Sequence, residues 1–88
     1  MPSRKTGIIQ DAERANAAIA VMRDLQMAAR SRGEREYIGR RITSVRLERD
    51  ALKRMAHGGQ RYSQIQAART AGRIADQVLE VLSLYIPT

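Results

Sequence analysis

Few side chains in this 88-residue sequence could do chemistry, and their spacing suits binding better than catalysis. His57 is the lone histidine. No Asp, Glu or Ser stands beside it in sequence as the proton partner that acid–base work needs. Its position predicts a simpler role at the end of a helix, where a cationic imidazole complements the dipole. Glu34 with Glu36, and Glu48 with Asp50, are carboxylate pairs two residues apart. On a helix such residues point in different directions, so neither pair makes a metal cradle or an acid–base dyad. Cysteine is absent, which removes disulfides, thiolate zinc sites and cysteine nucleophiles. The expectation is a non-enzymatic chain with no catalytic residues, no metal and no cofactor.

Cations are the abundant functional groups. The formal net charge is +7, and the basic residues are arginine except for Lys5 and Lys53. Guanidinium forks match phosphates and carboxylates bidentately, so such a chain draws nucleic acid, acidic protein surfaces or anionic lipid. Between Arg30 and Arg61 lie ten cations against four acids, which holds most of the chain's excess charge. Arg35, Arg46 and Lys53 share one flank of a helix by angle. Together with Arg40, Arg54, Arg69 and Arg73 they form the candidate surface for nucleic acid or an acidic partner. The plainer alternative is a solvated charged face. Only Tyr37, Tyr62 and Tyr85 are aromatic, so base stacking along a single strand is poorly served and backbone contact is the favoured mode.

The elements that must carry these residues are helical. The only prolines are Pro2 and Pro87, at the ends of the sequence, so its interior holds no helix breaker. Gly33 and the pair Gly58-Gly59 divide it into three near-equal segments. The predicted fold is all-α, an antiparallel three-helix bundle with helices over about 8–30, 33–57 and 62–85. It forms a single domain over residues 1–88, with helix exchange or packing as an oligomer left open. Thr6 is the expected N-cap of the first helix, with Asp11 and Glu13 in its opening turns. Ser31 with Glu34, and Ser63 with Gln66, read as capping boxes for the other two. Fusion of the first two helices through Gly33 is the alternative that the Ser31 box opposes. Ile38, Ile42, Val45, Leu52, Met55 and Ala56 form the apolar face of the second helix, with Arg41, Glu48 and Arg49 on or beside it. Glu36–Arg40, Arg46–Asp50 and Asp50–Arg54 are candidate i,i+4 pairs.

The third helix has a wider apolar arc than one neighbour needs. Ile65, Ala68, Gly72, Ala75, Leu79 and Ile86 form one edge; Ile74, Val78, Val81 and Tyr85 form the other. The arc covers about 200°, against the ~100° stripe of an ordinary surface helix. Ile74, Val78, Val81 and Tyr85 are therefore the candidate interface for self-association or a partner, unless two neighbours cover the whole arc.

Two local likenesses occur. Gly58-Gly59-Gln60 resembles the tripeptide of peptide-release factors, although its flanks do not extend the match and a turn between helices explains the glycines. Leu52-Lys53-Arg54 followed by Arg61-Tyr62-Ser63-Gln64-Ile65 resembles a segment of the fifteenth small-subunit ribosomal protein; no site residues follow from it. The sequence supports a basic helical binding protein that contacts nucleic acid or a nucleoprotein through its arginine-rich second helix. The alternative is a protein-protein adaptor, inhibitor or assembly subunit, of the kind common in phages and mobile elements, that docks through the third helix. A homo-oligomer or larger assembly is expected in either case, with no small-molecule substrate. No apolar run is long enough for a transmembrane segment, and a cytoplasmic setting is expected from the lack of cysteine and of a signal peptide.

Overall fold

The computed structural model describes residues 4–58 and 63–85. Three α-helices pack on one another: α1 (Arg4–Met27), α2 (Arg32–Gly58) and α3 (Ser63–Leu82), the last continued by a 3₁₀ turn over Ser83–Tyr85. There is no strand among the described residues. No described helix is long and apolar enough to cross a membrane.

The bundle runs up, down and up. Asn16 of α1 meets Arg49 of α2, and Gln26 of α1 meets the Arg35 carbonyl, so these helices are antiparallel. Glu48 meets Arg73 and Glu34 meets Tyr85, so α2 and α3 are antiparallel as well. The extents are 44 × 23 × 17 Å, and the radius of gyration is 14.3 Å. A compact chain of this length would have a radius near ~12 Å, so the bundle is a rod set by its longest helix.

The core is a column of small and branched side chains. Ile8, Ala12, Ala15, Ile19 and Met22 come from α1, Ile38, Ile42, Val45, Leu52 and Ala56 from α2, and Ala67, Ile74 and Val81 from α3. The α1 and α2 sets repeat at three, four or seven residues and the α3 set at seven, so one stripe of each helix faces inward. Alanine at the buried positions Ala12, Ala15, Ala56 and Ala67 lets the helix backbones approach closely.

The helix ends refine the sequence reading. α1 begins at Arg4, so Thr6 lies inside it rather than at its N-cap, and its first turn holds no acid. It stops at Met27, where the Ala29 amide bonds the Gln26 carbonyl and tightens the chain into a turn. The Ser31 hydroxyl accepts the Glu34 amide at 3.1 Å, half of the expected capping box. The Glu34 carboxylate does not close the box; it takes the Tyr85 phenol instead. α1 and α2 are therefore separate helices. The proposed Ser63–Gln66 box, the Gly59-Gln60 turn, Tyr62 and Ile86 lie outside the residues, or the side chains, that the structure describes.

Candidate nucleic-acid interface and docking groove

The cations of α2 divide into two groups once the helix is placed between its neighbours. Arg41, Glu48 and Arg49, which sit at the margins of the apolar face, turn along the seams and clip α2 to the other helices. Arg41 pairs with Glu80 of α3 at 2.6 Å and lies over the Tyr37 ring, 5.3 Å from its centroid. Arg49 donates to Asn16 of α1 at 2.9 Å and to Asp50 at 3.1 Å. Arg73 of α3 grips Glu48 with two bonds, Nε to Oε1 at 3.0 Å and Nη2 to Oε2 at 3.1 Å, and also donates to Thr70. The Glu48 carboxylate holds the Arg73 guanidinium above its usual pKa, through the hydrogen bond first and the charge second. Arg73 was expected in the binding surface; its fork is occupied by a carboxylate and it belongs to the α2–α3 seam.

The remaining six cations expected there, Arg35, Arg40, Arg46, Lys53, Arg54 and Arg69, form no ion pair among the described residues. All are exposed except Arg46, which is half-buried. The proposed pairs Glu36–Arg40, Arg46–Asp50 and Asp50–Arg54 do not form. Glu36 is taken by Arg32, and Asp50 by Arg49. Every carboxylate of the two close pairs thus has a different partner, as expected for side chains that diverge on a helix.

Arg35, Arg46 and Lys53 stand on the α1 side of α2. The pairing of Asn16 with Arg49 and of Gln26 with the Arg35 carbonyl sets the register between these helices. That register brings the exposed Arg23 of α1, two turns after Asn16, into the same seam. Sequence reasoning missed Arg23, because only the α1–α2 register carries it to this flank. A depression of about 330 Å³ lies at one end of the seam, with Glu13, Asn16, Lys53 and His57 on its rim. Arg40 and Arg54 project from the outer face of α2, and Arg69 stands apart on α3.

The apolar arc of α3 is wide, but its two edges exchange roles. Ile74 and Val81 are 6% and 0% exposed and form part of the core, while Val78 and Tyr85 are half-buried against it. The expected interface of Ile74, Val78, Val81 and Tyr85 is thus the inward face. Two polar residues share this face, the fully buried Thr70 and the half-buried Gln77, so the polarity of the sequence displaced the apparent centre of the stripe. The open edge is the other one: Ile65 is 62% and Leu79 60% exposed, with Ala68, Gly72 and Ala75 exposed between them. Beside this edge α1 and α3 leave an apolar groove of about 420 Å³, floored by Ala15, Ala18, Ala71, Ile74 and Val78. Asp11 and Arg14 stand at its α1 margin.

Among the described residues no three His, Asp or Glu side chains converge as they would around a metal ion. Comparison of the chain with known protein families, with curated proteins and with solved structures finds no match.

Proposed function

We propose that the chain is a non-enzymatic binding protein that meets nucleic acid, or a nucleoprotein, along α2. One observation carries this reading: Arg35, Arg46 and Lys53 repeat on one flank of α2 with no acid bound to any of them among the described residues, while Arg41, Arg49 and Arg73 are engaged in the bundle. The first and last of these cations are about 27 Å apart at 1.5 Å per residue. A row of that length can track several phosphates of one strand, and Arg23 thickens it from α1. Contact is with the backbone, which gives affinity and steep salt dependence but little sequence preference.

The test is anisotropy titration of short labelled duplex DNA and RNA at low salt. Binding is expected, with log K falling linearly with log salt. Arg35→Glu with Arg46→Glu should weaken it by at least about tenfold. Undetectable binding at low salt ends this reading.

A second reading has its own support. The open α1–α3 groove and the exposed Ile65 and Leu79 suit a protein surface, as an adaptor, inhibitor or assembly subunit of phage or mobile-element type would use. Affinity capture with and without nuclease treatment separates the two, because only a nucleic-acid link is lost on digestion.

A further inference from the structure

We propose that two copies of the chain form a symmetric dimer through the open edge of α3, antiparallel, with Gly72 of each copy at the dyad. This inference does not rest on the nucleic-acid reading. It begins with a symmetry in the spacing. Ile65 and Leu79, both largely exposed, lie seven residues to either side of Gly72. Seven residues are close to two turns, so all three fall on one stripe. Ala68 and Ala75 fill the stripe between them, and a Cβ placed on Gly72 would meet nothing within 4 Å. Reversing one α3 against another about Gly72 puts each Ile65 against a Leu79 and the small residues against each other. Large side chains then seal both ends of a close helix crossing.

Charge complementarity selects the same arrangement. Arg69 and Asp76 flank Gly72 on the side of the stripe away from α1, and neither forms an ion pair among the described residues. In a two-fold antiparallel pair, like sides of the two helices meet. Arg69 of one copy therefore meets Asp76 of the second, twice over. A parallel pair would bring unlike sides of the two helices together, and Arg69 and Asp76 would both be left without each other as partner. A closed two-fold contact requires a surface that complements itself, and this edge has that property in its apolar and its charged positions. Arg69 is accordingly assigned to the dimer contact rather than to the phosphate surface.

Sedimentation equilibrium of the full chain, up to several hundred micromolar, tests the proposal, with circular dichroism checking that each variant folds. The wild type is expected to dimerise. Arg69→Glu alone should weaken the dimer at least about tenfold, because it sets two carboxylates together at both ends. Arg69→Glu combined with Asp76→Arg should restore it. The absence of cysteine permits a second measurement: Gly72→Cys should oxidise to a disulfide dimer, whereas Arg40→Cys on the outer face of α2 should not. A chain that stays monomeric throughout, and cross-links no better at Gly72 than at Arg40, overturns the dimer. A dimer indifferent to both charge exchanges overturns this register.

Discussion

The Tyr85 phenol donates to Glu34 Oε1 at 2.5 Å and reaches the Leu25 carbonyl at 3.5 Å. The end of α3 is thereby fastened through a single side chain to the first turn of α2 and the last turn of α1. The same bond explains why the capping box at Ser31 is only half made.

This latch gives a pH signature. Glu34 raises the Tyr85 pKa above its usual 10.0, chiefly by the hydrogen bond, with desolvation second and the carboxylate charge third; Arg30 opposes them. A raised folded-state pKa means that the latch is intact below the unfolded value and is lost as pH climbs through the folded one. Thermal melts should show the wild type losing stability more steeply than Tyr85→Phe above pH ~10. At neutral pH Tyr85→Phe should melt lower than the wild type. Parallel alkaline profiles would remove the latch.

Leu52 is fully buried in the second half of α2. Leu52→Ala should cost about 2–5 kcal/mol, through the lost transfer energy and the cavity left behind. In a domain of this size that is a large share of the total stability, and urea titration should show a much lower midpoint with little change in slope.

The Gln77 Oε1 is buried and has no hydrogen-bond partner among the described residues. Replacing an unsatisfied polar group by an apolar one of similar volume removes a desolvation penalty. Gln77→Leu or Gln77→Met is expected to stabilise the fold by about 1 kcal/mol, measured by chemical denaturation.

Two helical glycines should respond differently to alanine. At Gly72 the new Cβ meets nothing, so the gain in helix propensity, about 1 kcal/mol, should appear in full at concentrations where the chain is monomeric. At Gly39 the Cβ would stand 2.8 Å from Gln26 Nε2, which donates to the Arg35 carbonyl. That amide can swing away, but its bond to α2 goes with it, and the net change should be near zero. A large loss at Gly39 would show that the Gln26 contact matters more than its exposure suggests.

Much of the fold was legible because it follows from local rules. Gly33 and Ser31 marked the break between α1 and α2, and the three- and four-residue spacing from Ile8 to Met22 and from Ile38 to Ala56 gave the inward stripes. The failures share a cause: a helical wheel shows how broad an apolar arc is, not where the neighbours stand. On α3 the neighbours are located by Arg41–Glu80 and Glu48–Arg73, contacts between residues far apart in sequence. They turn Thr70 and Gln77 inward and leave Ile65 and Leu79 outside. The same contacts remove Arg73 from the candidate surface, while the register against α1 adds Arg23. An arginine engaged across a seam and one that faces solvent look alike in sequence.

Among the described residues the middle helix is a partner in every polar tie between helices except the Tyr85–Leu25 contact: Gln26 and Asn16 reach it from one side, Glu80, Arg73 and Tyr85 from the other. It works as a ruler from which both outer helices take their alignment. Inserting or deleting one residue in it would rotate everything beyond by about 100° and put all later ties out of phase. A molecule that clasps its outward arginines would therefore brace the common reference of the assembly, and its grip should register as a higher melting point of the entire chain rather than as protection of one segment.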